Sequence, residues 1–453
     1  MHEFFSYSAR NHYFQYAWYN LELLRLLGST PSGGCDAAEF LETVSEIEPN
    51  DAASWQHCWF ARAEKTEALA EEIGKSGQLN LACNAFLRAS NYFRCAQYMF
   101  PVMPEPEQRY LLQVYERSIS CFERAMALVP HNVSRVQIPY SAAPDGRTIH
   151  LPGWLHQPSP SQCLPGRRKV PVLICCGGAD STQEELYFLS VSEGPGLGYA
   201  VLTFDGPGQG LVLRRDGVPM QPAGEAVLDA VINFIELYAH NHPQAELDLN
   251  ALTVTGQSLG GYLALRGAAE HRIKACAAID PFYDMWDLAM ARMPSWMVAP
   301  WEKGWIGDWI IDWAVKAHGA QDLATKYQFA LAQQMFGTPN AGSTLRMMKQ
   351  YTFKLQGSHG TKKPDYLARV QCPVLVTAGT TDSTSFLPEI SINTIVKNLV
   401  NVSESQKTIW VANSYAEGGA QAKSGAWPLL QHQRTHALSC FYRLIHGLFA
   451  KCV

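Results

Sequence analysis

A serine enclosed by glycines is the sharpest chemical motif of the sequence. Gly256-Gln257-Ser258-Leu259-Gly260 lies between the apolar run LTVT and the helix-forming run YLALRGAAE. At so tight a strand-to-helix turn, small residues must flank the serine, whose hydroxyl then stands exposed above the sheet. The pentapeptide alone is common by chance, so its position between strand and helix carries the interpretation. The motif predicts that Ser258 is a catalytic nucleophile.

A serine that attacks a carbonyl needs hydrogen-bond donors for the oxyanion that forms. The backbone N–H of Leu259 is one candidate, because a helix N-terminus favours negative charge. A second is expected from the loop after LICC, around Gly178 and Ala179, where glycine allows close backbone approach, although the same glycines would also serve an ordinary turn. Asp180 is a candidate oxyanion-loop or substrate-binding residue, and Asp180 and Glu184 are candidate proton handlers or structural members of their motif.

A catalytic serine also needs a general base and an acid that orients the base. The acid follows the serine on a loop after a later strand, and PVLVTAGTTD places Asp382 there, with a solvated turn aspartate as the alternative. The base is expected after the last strand, KTIWVANS, but the following YAEGGAQAKSGAW contains no histidine. The next histidines, His432 and His436, fall in the closing helical run and could be ordinary surface or core residues. The sequence thus predicts Ser258 and Asp382 as catalytic residues and leaves the base open.

The elements that must position these groups alternate along the chain. Strand and helix patterns follow one another in KVPVLICCGG, ELYFLSV, YAVLTFDGPG, EAVLDAVINFIELYA, the serine segment and IKACAAIDP, and resume with CPVLVTAGTTD and KTIWVANS. Continuous apolar strands between helices indicate a mostly parallel sheet covered on both faces. Together with the serine turn, this order predicts an α/β protein with an α/β-hydrolase fold.

Two helical regions accompany that sheet. Helical spacing through the first 130 residues predicts an all-helical N-terminal domain, and a hairpin signal follows at Asp145-Gly146. A Trp- and Met-rich stretch interrupts the alternation and predicts a helical cap inserted over the sheet. The predicted organisation is a helical domain over 1–131, a first core part over 132–282, a cap over 283–366 and a second core part over 367–453.

Amino-acid composition and net charge limit the kinds of molecule that the protein is expected to bind. The formal net charge of -5 offers no basic stripe for nucleic acid, and no apolar run approaches the roughly 20 residues of a membrane helix. The N-terminus does not resemble a secretory signal, and the 12 cysteines, without a Cys-x-x-Cys pair, are typical of reduced core thiols. We expect a cytoplasmic protein without metal or cofactor that binds a bulky apolar small molecule through some of its 12 tryptophans, although most aromatic rings would serve the core. The predicted N-terminal helical domain could form the contact between the two protomers of a homodimer.

Several motifs together resemble a known family. GGADSTQEE at 177–185, FDGPGQG at 204–210, GQSLGG, CPVLVTAGTTD and the helical run AFLRASNYFRCAQYMF are similar to those of fungal and bacterial α/β-hydrolases. These include the polyketide-shortening hydrolases of melanin biosynthesis and dihydropseudooxynicotine hydrolase. The resemblance covers nearly the whole chain. It implies cleavage of C–C bonds in β-dicarbonyl-like substrates, or of related acyl bonds, with Ser258 as nucleophile and Asp382 as acid beneath a helical cap.

One segment departs from that family pattern. EGGAQAKSGA at 417–426 matches the frame of the segment that usually carries the catalytic histidine, with Ala422 about where the histidine is expected. Similar proteins occur in fungal polyketide and polyketide–peptide pathways, in which ring closure can matter more than hydrolysis. Three functions therefore stay open. They are Ser258-dependent cleavage of an acyl, ester or C–C bond in such an intermediate, cyclisation or condensation in the same pocket without a complete triad, and binding without catalysis.

Overall fold

The computed structural model describes residues 17–49, 51–100, 107–141, 143, 146–164, 166, 168–291, 293–355, 365–379 and 391–412. The strands in these ranges are β1 (Asn132–Tyr140), β2 (Ile149–Gln157), β3 (Val170–Cys176), β4 (Ala200–Phe204), β5 (Leu247–Gln257), β6 (Ile273–Ile279), β7 (Val374–Gly379) and β8 (Lys407–Ala412). The α-helices are α1 (Ala17–Gly28), α2 (Ala37–Glu46), α3 (Ala52–Lys75), α4 (Leu79–Ala96), α5 (Glu107–Met126), α6 (Gly210–Arg214), α7 (Gly224–Asn241), α8 (Leu259–Gly267), α9 (Met285–Met290), α10 (Ser295–Glu302), α11 (Asp308–Gly319), α12 (Leu323–Phe336), α13 (Ala341–Met348) and α14 (Ile392–Asn398).

The described strands form one eight-stranded sheet in the order β1-β2-β4-β3-β5-β6-β7-β8. β1 and β2 pair antiparallel as the predicted hairpin, and β2 pairs antiparallel with β4. Every pairing from β4 to β8 is parallel. The predicted mostly parallel sheet is confirmed. Because parallel strands present their carboxyl ends at one edge, the turns after β3, β5 and β6 meet there.

The continuous apolar strands have a simple cause, which is burial on both faces. All seven residues of β3 are buried. Its alternate residues face opposite sides of the sheet and belong to different hydrophobic cores. Val172 and Ile174 join a cluster that contains residues of α7 and α8. Leu173 and Cys175 join a cluster that contains residues of α4 and α5. The N-terminal helices therefore cover one face of the sheet as well as packing on each other.

The predicted helical N-terminal region is present as α1–α5. Asp51 begins α3 by accepting hydrogen bonds from the backbone N–H groups of Ala53 and Ser54, at 2.8 and 3.1 Å, which satisfies two otherwise unpaired helix donors. Behind that cap, Trp55 and Trp59 are fully buried with their ring centroids 6.0 Å apart. These rings form the centre of a core shared by α1–α5.

Helices α9–α13 lie between β6 and β7 in the chain, where the alternation of strands and helices was predicted to stop. The apolar run ELYFLSV contains a short π-helix, Tyr187–Val191, between β3 and β4. All ten described cysteines are free and nine of them are buried, as core thiols are expected to be. Within the described ranges, no helix has the length and apolar character needed to span a membrane.

Candidate active site

Ser258 occupies a strained turn between β5 and α8. Its φ of 54° and ψ of -117° lie where an L-residue pays a steric penalty and where glycine is normally found. The turn is held on both sides, because the Ser258 N–H donates to the Ile279 carbonyl at 2.9 Å and the Ser258 carbonyl accepts from the Tyr262 N–H at 3.1 Å. The local geometry is that of a nucleophile elbow.

The glycines around Ser258 are required by close backbone contacts. A Cβ at Gly256 would lie 2.2 Å from the carbonyl oxygen of Gly260, and a Cβ at Gly260 would lie 2.4 Å from that of Cys176. No side chain fits at either distance. The Ser258 turn can therefore pack directly against the end of β3 only because both positions are glycine.

The loop after β3 lies against the elbow. A Cβ at Gly178 would be 3.4 Å from the carbonyl oxygen of Gln257, and a Cβ at Gly260 would be 2.7 Å from that of Gly177. Leu259 is the first residue of α8, so its N–H stands at the N-terminal end of that helix. The structure thus brings the loop that contains Gly178 and Ala179 next to the Ser258 turn. The role of the Leu259, Gly178 and Ala179 N–H groups as oxyanion donors stays a prediction.

Asp180, the next residue of this loop, is held by the N-terminal helices. Its Oδ2 accepts hydrogen bonds from Arg25 Nη1 at 2.8 Å and from Tyr98 Oη at 2.9 Å. Burial by itself raises the pKa of Asp180, but the charge of Arg25 and the two hydrogen bonds outweigh it and hold that pKa below its usual value. Asp180 is therefore an ionised anchor of the loop and is poorly suited to carry a proton.

Arg25 belongs to a buried cluster of charged groups that sequence reasoning missed. Its guanidinium makes a bidentate pair with Glu185, at 2.6 and 2.7 Å, and lies 3.3 Å from Glu22. Arg94 bonds Glu22 at 2.7 Å and lies 3.4 Å from Glu185. The only sequence signal was the three-residue spacing of Glu22 and Arg25 in an otherwise apolar helix. Helix α1 is thus tied to both Asp180 and Glu185 of the loop, and α4 to Glu185.

Glu184 differs from Asp180 in its protonation. Burial, reinforced by the charge of Asp205, raises the pKa of Glu184 to about 8, although the Tyr115 hydroxyl donates to it at 3.2 Å. Burial likewise raises the pKa of Asp205 to about 6 against hydrogen bonds from the backbone N–H groups of Leu211 and Gln183. At neutral pH, the carboxyl group of Glu184 in this loop is accordingly protonated.

Asp280 is a further carboxylate that the sequence analysis did not single out. It follows β6 at the edge that carries Ser258, is 1% exposed, and has a φ of 45°. Its N–H donates to the Thr377 carbonyl at 3.2 Å, which joins the ends of β6 and β7. The signal was its position at the end of the apolar run IKACAAID.

The remaining predicted site residues lie outside the described residues. They are Asp382, His432, His436 and the position of Ala422. Several described histidines lie at the amino edge of the parallel strands, opposite Ser258: His131, His156, His240, His242 and His271. His57, His150 and His318 lie on α3, β2 and α11. Among the described residues, no histidine is hydrogen-bonded to Ser258.

A parallel sheet with a strained serine between strand and helix defines the class of α/β-hydrolase enzymes. A family model described as "Alpha/beta hydrolase family" matches residues 172–403. The chain is 57% identical to Alpha/beta hydrolase ucsC of Acremonium sp over 441 residues, which covers 96% of this chain and 89% of that protein. This protein therefore belongs to the α/β hydrolase family and is an enzyme.

Two further similarities add detail. The chain is 37% identical to 20-hydroxy-prefusarin hydrolase FUS2 of Gibberella moniliformis over 416 residues, which covers 92% of this chain and 94% of that protein. The solved structure of 2,6-dihydroxy-pseudo-oxynicotine hydrolase superposes with a TM-score of 0.65 at 19% identity, covering 94% of this chain and 96% of that one. At that identity the superposition shows the shared fold, which includes the helical N-terminal region.

Proposed function

We propose that this protein is a Ser258-dependent enzyme that cleaves an acyl, ester or C–C bond in a bulky polyketide or polyketide–peptide intermediate of fungal-type secondary metabolism. The observation that carries the proposal is the strained Ser258 turn, with its φ of 54°. Backbone strain of this kind is retained where the surrounding structure enforces it, and it is typical of catalytic positions. Ser258 precedes α8 as its N-cap residue, yet its side chain makes no capping hydrogen bond to that helix.

In the proposed reaction, Ser258 Oγ attacks the carbonyl carbon and its proton passes to a general base that Asp382 orients. The negative charge that develops on the carbonyl oxygen is stabilised by the N–H of Leu259, at the start of α8, and by those of Gly178 or Ala179. For a β-dicarbonyl substrate, the acyl group stays on Ser258 and the carbon leaving group takes the proton. Water then releases the acyl group from the serine.

The proposed substrate class has three supports. The relative FUS2 is named as a hydrolase of 20-hydroxy-prefusarin, and motifs such as GGADSTQEE and FDGPGQG resemble those of polyketide-shortening hydrolases. Helices α9–α13, which follow β6 at the carboxyl edge, are rich in methionine and tryptophan. Polarisable and aromatic side chains of this kind are suited to a large apolar ligand.

Ring closure or condensation is the second candidate function. It is favoured by the missing histidine in 413–431 and by the location of the described histidines, many of which lie at the opposite edge of the sheet. Without a base, a pocket that folds a flexible chain and polarises its carbonyl can still accelerate an intramolecular C–C bond formation. In that reaction the oxyanion donors act but Ser258 forms no covalent bond.

The Ser258→Ala variant separates the two candidates. We expect wild-type protein to be labelled by a fluorophosphonate probe, and Ser258→Ala to lose both labelling and at least about 10³-fold in turnover of the biosynthetic precursor, as expected when a nucleophile is removed. Ser405→Ala, a change at an exposed serine, is the control and should retain both. Full turnover by Ser258→Ala would contradict covalent catalysis and favour ring closure.

A further inference from the structure

Gln209, in the FDGPGQG motif, contacts the loop after β3 from within the protein. Its side chain is 3% exposed, and its amide nitrogen donates to two successive carbonyls, that of Gly177 at 2.6 Å and that of Gly178 at 2.8 Å. Its amide oxygen accepts from the Gly206 N–H at 3.1 Å. Both ends of the Gln209 side chain are therefore used by backbone groups.

These two hydrogen bonds fix the direction of two peptide planes. In a trans peptide the carbonyl oxygen and the following N–H point in opposite directions. Because Gln209 holds the carbonyls of Gly177 and Gly178, the N–H groups of Gly178 and Ala179 point away from it. The same stretch lies against the Ser258 turn, since a Cβ at Gly178 would be 3.4 Å from the Gln257 carbonyl oxygen.

Gln209 is itself held by a tight turn. Asp205 accepts from the Leu211 N–H at 2.9 Å and from the Gln183 N–H at 2.8 Å, which joins FDGPGQG to the far end of the same loop. Gly210 has a φ of 41°, and a Cβ there would lie 2.1 Å from Asp205 Oδ2. The turn therefore needs glycine to bring Asp205 and Gln209 against the loop.

We propose that Gln209 is a positioning residue that aims the N–H groups of Gly178 and Ala179 at the oxyanion formed on Ser258 attack. The inference rests on the proposed function, since it requires that Ser258 react with a carbonyl or phosphonyl group. Loss of the Gln209 amide leaves two buried carbonyls without their donor, so the loop turns to find other partners. Oxyanion donors act only when they are already in place, so even a small rotation reduces the rate.

Gln209→Met tests this directly. It retains a long unbranched side chain but removes the donor. We expect the second-order rate of fluorophosphonate labelling at Ser258 to fall about ten- to a hundredfold, in the range of a displaced or lost oxyanion donor. Gln157→Met is the matched control, because Gln157 also donates to a backbone carbonyl, that of Ala245 at 3.4 Å, but at the opposite edge of the sheet. Its labelling rate should stay within twofold of wild type.

The variant Gln209→Glu distinguishes a positioning role of Gln209 from a merely structural one. It also replaces Gln209→Met as the test if that variant does not fold. It is nearly isosteric, but an ionised carboxylate cannot donate, whereas the protonated acid can donate to one carbonyl. We expect its labelling rate, divided by that of wild type, to rise several-fold as the pH falls from 10 to 5, a range that includes the raised pKa of a buried carboxyl group. Asp205 and Glu184 also titrate in this range, and because both proteins contain them the ratio removes the part of their titration that the two proteins share.

The outcomes are distinct. Wild-type protein that is not labelled at all contradicts the proposed function, and this inference with it. Labelled wild type together with Gln209→Met at an unchanged rate overturns the inference alone. A Gln209→Glu ratio that stays constant from pH 10 to 5 also overturns it, because a packing defect would lower the rate equally at each pH.

Discussion

The two helical regions use their aromatic residues in opposite ways. In α1–α5, Trp55 and Trp59 are fully buried. In the stretch that includes α10 and α11, four tryptophans are largely exposed: Trp296, Trp305, Trp309 and Trp313, at 76, 73, 71 and 69%. The first region buries these two rings in its core, whereas the second buries Trp301 and leaves the other four on the surface. Tryptophan thus serves stability where it is buried and forms part of an apolar surface where it is exposed.

The first region also reaches the candidate active site through polar groups. Arg25 on α1 and Tyr98, just after α4, both bond Asp180 in the loop beside Ser258. The second region touches this assembly where Tyr327 of α12 packs on Tyr98, with ring centroids 5.0 Å apart. The comparison indicates that the helices before the sheet hold the loop beside Ser258, whereas α10 and α11 bury Trp301 and Ile311 in a small separate cluster and leave their other tryptophans exposed.

The largest loss of unfolding free energy is expected for the variant Arg25→Met. It removes the principal cation of the buried Glu185 and of the partly buried Asp180, and breaking a buried pair such as Arg25–Glu185 costs about 3–5 kcal/mol. We expect urea denaturation to show a loss of that size, together with slower labelling of Ser258. Arg88→Met is the control, because Arg88 pairs with Glu39 between α4 and α2, away from the loop. Equal effects of the two variants would mean that Arg25 holds the helices together but not the loop.

An intermediate and pH-dependent effect is expected for Glu184→Gln. The pKa of Glu184 is raised to about 8, so native protein keeps a proton that the unfolded chain releases near its ordinary pKa. Wild-type stability from this group is therefore complete at acid pH and is lost as the pH rises towards 8. An uncharged glutamine removes that loss. We expect the unfolding free energy of Glu184→Gln, relative to wild type, to increase between pH 5 and 8 by on the order of a few kcal/mol.

A relative stability of Glu184→Gln that is flat between pH 5 and 8 would show that Glu184 ionises normally. It would also remove the contrast between Glu184 and Asp180 within one loop. Asn91→Ala, which changes a buried polar group of α4 without an ionisable proton, gives the reference for a pH-independent loss.

The smallest effect on stability is expected for the double variant Trp309→Ala and Trp313→Ala. Both side chains are exposed, so the unfolding free energy should change by less than about 1 kcal/mol, since surface substitutions usually fall within about 0.5 kcal/mol each. Trp59→Ala, at a buried position, should cost about 3–5 kcal/mol in the same denaturation experiment. A large loss in the double variant would show that these rings pack against part of the protein and would end the contrast between the two regions.

The sequence predicted the parts of this fold that depend on local pattern. The run VPVLICC is buried throughout because both faces of β3 are covered. GQSLGG folds into the strained turn because a Cβ at Gly256 or Gly260 would lie only 2.2 or 2.4 Å from a backbone oxygen. The pairing of Arg25 with Asp180 spans 155 positions and depends on how α1 packs on the loop. No periodicity encodes such a contact. The same holds for Gln209, whose two carbonyl partners lie about thirty residues away in the chain.

The central claim is that the Ser258 turn and the loop after β3 form one oxyanion site. A crystal structure of the protein after reaction with a fluorophosphonate tests it most directly. We predict phosphorus bonded to Ser258 Oγ, with the phosphonyl oxygen about 2.7–3.1 Å from the backbone nitrogen of Leu259 and from that of Gly178 or Ala179. Phosphorus on another residue, or a phosphonyl oxygen that points to solvent with no contact to this loop, would contradict the account.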